Sequence, residues 1–182
     1  MTTVVLDISH RKIVTDSRTT GNRKNYLSVS VLKKSFNLPF FRYKECVSTD
    51  STIKSLRIVK NGFTEFIVGS GYVSEINKFI ENYKNDTIPK KFLKDSTVLV
   101  AYFNGTQWMV KSFSNSNCIL YGEDTEWVVS GSGGQYAAAT LDLINQENKN
   151  RAVKAVEIAI ERDTYSGGEI RELKLQDHCD IY

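Results

Sequence analysis

The start of the chain carries residues that could act as a nucleophile and its base. If Met1 is removed, Thr2 presents a hydroxyl and a free α-amine, the pairing that N-terminal threonines use for nucleophilic catalysis. A hydroxyl is a weak nucleophile until a base takes its proton, and an α-amine, with a pKa of about 7.7–8.0, can do so near neutrality. This end of the chain therefore fits nucleophilic catalysis by a terminal threonine.

A hairpin is expected to bring a carboxylate to this threonine. Alternating apolar and polar residues around Val5 to Ile8 predict a short strand, and residues 12–15 predict its partner across a tight turn at 9–11. The hairpin would return Asp16 to the neighbourhood of Thr2. Taken singly, Asp16 also fits an ordinary turn residue, and Thr2 fits the polar start of an edge strand.

Three motifs lie at the start, in the middle and near the end of the chain. They are Thr2-Thr3 with Asp16-Ser17-Arg18-Thr19-Thr20-Gly21, then Val129-Ser130-Gly131-Ser132-Gly133-Gly134, and finally Arg162-Asp163-Thr164-Tyr165-Ser166-Gly167-Gly168. In this order, with strand and helix signals between them, they resemble the motifs of proteasome β subunits and their bacterial ATP-dependent relative. The resemblance covers nearly the whole chain and implies an N-terminal nucleophile hydrolase.

The predicted elements are strands, a helix, strands, two helices and a final strand, an order typical of an α+β fold. The resemblance makes this a four-layer αββα sandwich with two central antiparallel sheets between helical layers. We expect one domain over residues 1–182, with an insertion at 22–45 and a tail at 177–182. Residues 86–94 are too short for the second helix of the family, so the helical layer there should be thinner.

The insertion at 22–45 has two interpretations. It can be a surface loop with its own hairpin, since loops tolerate such lengths. It can also be an added contact surface or a lid, because its aromatic residues would be costly to leave in water. We expect it to contribute to a subunit or partner contact.

The resemblance also assigns roles to individual residues. Thr2 is the nucleophile, Lys54 lies near its hydroxyl and lowers the proton affinity of that hydroxyl, and Asp16 holds the Lys54 ammonium. Three further catalytic candidates form a polar cluster around the terminal amine: Ser132, Asp163 and Ser166. Any one of these three could instead be a cap or turn residue.

Two positions compete for the catalytic lysine. Lys33-Lys34 resembles the paired lysines of the family by composition and lies nearer to Asp16 in sequence. However, the lysine of the family sits on a strand that turns directly into the strand ending at a glycine segment. Lys54 has that position, whereas Lys34 would require residues 35–52 to be inserted within the same hairpin. We therefore predict Lys54.

The resemblance implies that an extended substrate lies along the glycine segment 69–71. Glycine permits close backbone approach, and a backbone N–H there would stabilise the oxyanion of a tetrahedral intermediate. The residues predicted to contact the oxyanion or the substrate are Gly69, Ser70, Gly71, Thr19 and Gly133.

Composition limits the other function classes. The 182 residues are 41% hydrophobic and 25% charged, as in an ordinary globular domain, and the net charge of +3 is too small to suggest nucleic-acid binding. No apolar run could span a membrane and no signal pattern occurs, so we expect a cytoplasmic protein. The three cysteines, Cys46, Cys118 and Cys179, are expected to be free thiols. His10 and His178 have no ligand spacing and are expected at the surface, so no metal or other cofactor is implied.

The sequence thus predicts a threonine-type endopeptidase subunit of a self-compartmentalising, proteasome-like ring. The resemblance implies self-association, peptide or unfolded-protein substrates, and an ATPase or other activator as a candidate partner, with no nucleic-acid or membrane partner. Two alternatives stay open. One is a non-catalytic ring or scaffold subunit of the same fold, and the other is a small-molecule amidohydrolase of the N-terminal nucleophile group.

Overall fold

The computed structural model describes residues 2–31, 34–49, 55–60 and 63–176, and within 19–49 it describes the backbone alone. The strands are β1 (Thr3–Asp7), β2 (Lys12–Thr15), β3 (Thr19–Val31), β4 (Lys34–Thr49), β5 (Ser55–Lys60), β6 (Phe63–Ser70), β7 (Thr97–Phe103), β8 (Trp108–Ser114), β9 (Asn117–Tyr121), β10 (Trp127–Gly131) and β11 (Arg171–Lys174). The helices are α1 (Val73–Lys84), α2 (Gly134–Leu143) and α3 (Arg151–Arg162). This order of element types matches the prediction.

Two antiparallel sheets form the middle of the fold. One has four strands in the order β10-β1-β2-β11, and the other has five in the order β5-β6-β7-β8-β9. Strand β1 lies inside the first sheet, with Thr3 opposite Gly131 on one side and Val4 opposite Thr15 on the other. The hairpin predicted at the start of the chain is therefore confirmed.

The two faces of β1 and β2 pack against different layers, because successive strand side chains point to opposite sides. Val4, Leu6 and Ile13 join the cluster that includes Phe66 and Leu99 of the second sheet. Val5 and Val14 instead pack against residues of α2 and α3. All five of these aliphatic residues of β1 and β2 are at most 1% exposed. The alternation therefore fills two hydrophobic layers at once.

Helix α1 covers the outer face of the second sheet. Phe79 and Tyr83 pack in one cluster with Ile67, Val98 and Val100 of β6 and β7. The layers are thus α2 and α3, the four-stranded sheet, the five-stranded sheet, and α1, which confirms the predicted four-layer sandwich. Between α1 and β7 no second helix occurs among the described residues, as expected. No helix of the described ranges is long and apolar enough to cross a membrane.

The predicted insertion lies within a separate hairpin. Strands β3 and β4 pair with each other as a two-stranded sheet, with a register irregularity between Tyr26 and Ser28. This hairpin extends over 19–49 and is therefore longer than the predicted insertion at 22–45. Its backbone forms the hairpin that the first interpretation included, and its role as a contact surface or lid stays a prediction.

A buried ion pair lies at the end of β1 away from Thr2. Asp7 and Arg151 are both fully buried, and two Arg151 nitrogens lie 3.0 Å from the two Asp7 carboxylate oxygens. Arg151 also donates to Glu126 at 3.2 Å. His10 Nδ1 lies 2.9 Å from Asp7 Oδ2, with 16% of its side chain exposed. The prediction that His10 is a surface residue was therefore wrong, because Asp7 needs partners in its buried position.

Candidate active site

The Asp16 carboxylate joins three parts of the chain next to Thr2. Asp16 Oδ1 accepts hydrogen bonds from the Thr2 hydroxyl and, at 2.9 Å, from the Thr3 amide. Asp16 Oδ2 accepts the Gly167 amide at 2.9 Å. Asp16 is 0% exposed. Hydrogen bonds to an ionised carboxylate are stronger than those between neutral groups, so this residue fixes the Thr2 hydroxyl relative to both the strand and the turn after α3.

A second polar cluster contains three of the predicted residues. Asp163 Oδ2 accepts hydrogen bonds from the Ser132 hydroxyl at 2.5 Å and from the Ser166 hydroxyl at 2.6 Å. Asp163 is placed there by the end of α3, where its amide donates to the Ala159 carbonyl at 2.8 Å. The structure thus brings together Ser132, Asp163 and Ser166, as the motifs predicted.

Thr3 connects the two clusters. Its amide binds Asp16, and its hydroxyl lies 2.6 Å from the Ser166 hydroxyl. Ser166 has one hydroxyl proton and gives it to Asp163, so Thr3 must donate to Ser166. The alternation along β1 could have indicated this role, since it directs Thr3 to the helix side with Val5 and Thr2 to the other side. Sequence reasoning nevertheless assigned Thr3 no function.

Two glycines of the middle motif allow this close packing. Gly131 has φ +96°, and a Cβ there would lie 1.8 Å from the Thr2 carbonyl oxygen. Gly133 has an ordinary helical backbone, but a Cβ there would lie 2.0 Å from the Thr3 hydroxyl oxygen and 2.9 Å from that of Ser166. Gly131 is thus required by both its backbone conformation and its close packing, and Gly133 by close packing alone.

Gly133→Ala is therefore expected to displace the Thr3 and Ser166 hydroxyls. Overpacking of this kind costs about 1–3 kcal/mol, which a lower urea midpoint would report. Gly122→Ala is the matched control, because a Cβ there would meet no atom within 4 Å and the φ of Gly122 is not positive. We expect that control to change stability by less than about 0.5 kcal/mol. Equal midpoints for the two variants would contradict the steric role of Gly133.

Arg18 supports the turn that carries Ser166 and Gly167. Its guanidinium donates to the Ser166 carbonyl at 3.1 Å, and its amide donates to the Gly167 carbonyl at 2.9 Å. A Cβ at Gly167 would lie 2.4 Å from the guanidinium carbon. Arg18 thus packs directly on the turn, a role that sequence reasoning missed although the residue belongs to the first motif.

A cleft of about 380 Å³ opens beside this end of the sandwich. Gly131 and Ser132 form part of its wall, and Ser70 and Gly71 form another part. The hydroxyls of Ser70 and Ser130 lie 2.5 Å apart, which joins the two sheets at this point. The remaining lining residues, which the sequence did not indicate, are Lys94, Asp95, Ser96, Thr97, Ser114 and Asn115.

The other predicted site residues have separate positions. Gly69 lies in β6 opposite Val98, and a Cβ there would lie 2.7 Å from the Ile76 side chain, so helix packing explains this glycine. Thr19 lies in β3 opposite Thr49, and its side chain is outside the described residues. Lys54 also lies outside them, so its role stays a prediction.

The polar groups described at this site are hydroxyls, two carboxylates and backbone amides. No group of three or more His, Cys, Asp or Glu side chains that could hold a metal occurs in the described ranges. The arrangement can hold a hydroxyl against a carboxylate on one face of β1. On the other face it can hold a chain of hydroxyls against a second carboxylate.

Comparison with solved structures identifies the fold to which this site belongs. No family model matches the chain, and no curated protein matches it significantly. Among solved structures, HslV from Trypanosoma brucei is 17% identical with a TM-score of 0.58, covering 94% of this chain and 99% of its own. Anbu from Hyphomicrobium sp. strain MC1, a Gly-1 mutant, is 10% identical with a TM-score of 0.63, covering 99% and 89%. BPH from Thiobacillus denitrificans in complex with epoxomicin is 11% identical with a TM-score of 0.53, covering 96% and 99%.

These similarities extend over almost the full length of each chain. At identities of 10–17% they concern the arrangement of the backbone, and they agree with the two sheets and the helical layers on either side. The chain therefore has the N-terminal nucleophile hydrolase fold of proteasome β-subunit-like proteins, as its three motifs predicted.

Proposed function

We propose that the chain is a threonine-type endopeptidase whose nucleophile is Thr2. The observation that carries the proposal is the hydrogen bond from the Thr2 hydroxyl to the buried Asp16 carboxylate. The second cluster, with Ser132, Asp163 and Ser166, lies on the other face of the same strand. Such an arrangement suits a terminal threonine because it orients the hydroxyl and supplies polar groups around the start of the strand.

The reaction requires that Thr2 become the first residue. The Thr2 oxygen would then attack the peptide carbonyl carbon while its proton passes to the α-amine, directly or through water. A backbone N–H of the segment 69–71 would stabilise the oxyanion, and Lys54 would favour the ionised nucleophile. Collapse of the tetrahedral intermediate then breaks the C–N bond while the α-ammonium returns its proton to the leaving nitrogen, which releases the amine half and leaves an ester on Thr2. Water then hydrolyses this ester and regenerates the hydroxyl.

The proposal includes assembly into a proteasome-like ring in the cytoplasm, with peptides or unfolded proteins as substrates. An ATPase or other activator would be its partner. The support is the fold shared with HslV and with Anbu from Yersinia bercovieri, described as an ancestral β subunit, with a TM-score of 0.60 at 10% identity and coverage of 95% of this chain and 80% of its own. A ring would restrict access to the cleft beside Ser132.

One observation favours a second candidate function. Thr2 is 3% exposed in the chain that carries Met1, and its carbonyl lies against Gly131. A chain that keeps its first residue would have an amide nitrogen in place of the basic amine, and its hydroxyl would lack the proposed base. Such a chain would be a non-catalytic ring or scaffold subunit of the same fold.

Intact mass spectrometry of the purified protein, before and after treatment with epoxomicin, tests the first function. We expect a mass that begins at Thr2, a covalent adduct and cleavage of peptides. Thr2→Ala should remove the adduct and lower turnover by about 10³-fold or more, by analogy with loss of other nucleophiles. Thr106→Ala, in an exposed turn, is the control expected to behave as the parent chain.

Two results would point to the alternatives. Retention of Met1 with no adduct in any assembly state would reject the peptidase and favour the scaffold. A mature terminal Thr2 that forms the adduct but cleaves only small amides, in an oligomer too small to enclose a chamber, would favour the amidohydrolase. Native mass spectrometry distinguishes the assembly states.

A further inference from the structure

Strand β9, at one edge of the five-stranded sheet, lacks the usual protection against pairing with another strand. Strand β9 pairs with β8 on one side, and on its other side it has no strand partner among the described elements. Charged residues and proline normally protect an edge strand from pairing with another strand. Strand β9 has neither, since its sequence is Asn117-Cys118-Ile119-Leu120-Tyr121. Ile119 is 52% exposed and Leu120 is 56% exposed. Within the described part of the chain, the strand thus presents apolar side chains together with backbone groups that have no strand partner.

The other exposed edges differ from β9. At the opposite edge of the same sheet, β5 carries Arg57 and Lys60. At an edge of the four-stranded sheet, β11 has charges at three of its four positions, Arg-Glu-Leu-Lys. Strand β10 is uncharged, but four of its five residues are buried or half-buried. Among the described edges, only β9 combines exposure with an uncharged sequence.

The turn before β9 defines which backbone groups are unpaired. Asn115 and Ser116 both have positive φ, 45° and 64°, as in the two-residue type I′ turn of a hairpin. In such a hairpin the flanking pair, Ser114 and Asn117, is hydrogen-bonded, and hydrogen-bonded pairs alternate along the strands. Asn117, Ile119 and Tyr121 therefore bond to β8. Cys118 and Leu120 direct their amides and carbonyls outward.

The pattern of outward backbone groups on β9 is self-complementary. In an antiparallel pair of two β9 strands centred on Ile119, Cys118 of each copy lies opposite Leu120 of the other. These are the positions with outward amides and carbonyls, so each pair can exchange two hydrogen bonds. Ile119 then lies opposite its own symmetry copy in a non-hydrogen-bonded pair, where side chains are closest.

Charge at the two ends of β9 has opposite sign. The turn at its start is bonded to the segment 90–94: the Ser116 amide donates to the Phe92 carbonyl at 3.0 Å. That segment carries the exposed Lys90 and Lys91, whereas the end of β9 is followed by the exposed Glu123 and Asp124. Antiparallel pairing places the start of one strand beside the end of the other. It would therefore bring each lysine segment towards an acidic segment.

We propose that β9 is a homotypic interface that pairs with β9 of a second copy of this chain and continues the five-stranded sheet across a two-fold axis. The proposal is independent of catalysis by Thr2. A single five-residue strand contact is smaller than the standard interface of about 1,200–2,000 Å², so the pair should dissociate on dilution unless other subunit contacts reinforce it.

Site-specific cross-linking tests the register. Ile119→Cys is introduced into a chain whose native cysteines, Cys46, Cys118 and Cys179, are replaced by serine. The Cα atoms of opposed residues in the pair would lie about 4.5 Å apart, within the range for a disulfide. Mild oxidation should give a covalent dimer roughly tenfold faster than for Val59→Cys in the same background, a control on the exposed part of β5. Equal rates for the two variants would overturn the proposal.

A charge exchange in the Ile119→Cys background tests whether the partner is the same edge of a second copy. Glu123→Lys/Asp124→Lys gives a chain with positive charge at both ends of β9, and Lys90→Glu/Lys91→Glu gives one with negative charge at both ends. Each variant alone should form the disulfide dimer several-fold more slowly, whereas their mixture should recover the parental rate, because both contacts are then complementary. Failure of the mixture to recover, or dimers between β9 and another surface, would reject the homotypic pair. Capture of another protein by the Ile119→Cys edge without homodimer formation would reject it as well.

Discussion

Lys54→Ala is expected to lower peptide turnover by about 10²- to 10³-fold, the loss typical of removing one electrostatic group at a reacting oxygen. The proposed role is to favour the ionised Thr2 hydroxyl, so the variant should assemble as the parent chain does. Lys33→Ala and Lys34→Ala are the matched controls, and both should retain activity. Turnover of a peptide substrate and native mass spectrometry of the same samples measure the two effects.

The choice of Lys54 rests on the predicted hairpin that leads into the glycine segment, and it stays a prediction. Strand β5 begins at Ser55, which pairs with Val68, the residue before Gly69. A one-residue slip would reverse the face of every side chain on this strand, so the prediction requires that Lys54 and not Ser55 faces Thr2. An inactive Lys34→Ala variant together with an active Lys54→Ala variant would reverse the assignment.

Arg151→Met is expected to lower the free energy of unfolding by about 3–5 kcal/mol, because it leaves the buried Asp7 carboxylate without its main partner. Urea unfolding followed by fluorescence measures this. The double variant Asp7→Leu/Arg151→Met removes both charges and should be clearly more stable than Arg151→Met alone. Equal loss in the single and double variants would show that packing, and not the charge pair, determines the effect.

The same pair predicts an acid dependence of stability. Burial tends to raise the pKa of Asp7, but the hydrogen bonds from Arg151 and then from His10 outweigh it and hold this pKa below its usual value of 3.8. Because the pKa is lower in the folded than in the unfolded chain, the stabilisation is complete above about pH 4 and is lost as the pH falls through the folded pKa. The difference in unfolding free energy between the parent chain and Arg151→Met should therefore shrink under acid. An unchanged difference below about pH 3 would contradict this.

Local sequence predicted those features that depend on neighbouring residues. The hairpin of β1 and β2 follows from alternation and a short turn. The resemblance carried by the three motifs also implied that Ser132, Asp163 and Ser166 would meet, and the structure brings them together.

The features that sequence reasoning missed depend on contacts between distant elements. The hydroxyl of Thr3 reaches Ser166 only because α3 returns over β1. The close packing of Ile76 of α1 against Gly69 was also not anticipated, and the predicted substrate contact of Gly69 stays a prediction. His10 contacts Asp7 because a buried arginine from α3 stabilises the carboxylate at that depth. None of these partners can be identified from spacing within one segment.

The pairing of β1 determines when Thr2 becomes buried. Strand β2 can pair with β1 early, but the other neighbour of β1 is β10, which lies about 120 residues further along the chain. At about 5–20 residues per second, synthesis of that stretch takes roughly 6–24 s. Throughout this interval β1 lacks one of its two neighbouring strands, whereas in the completed sheet Thr2 is only 3% exposed. Under the proposed function, removal of Met1 would compete with folding, and chains that fold with Met1 in place should be processed more slowly.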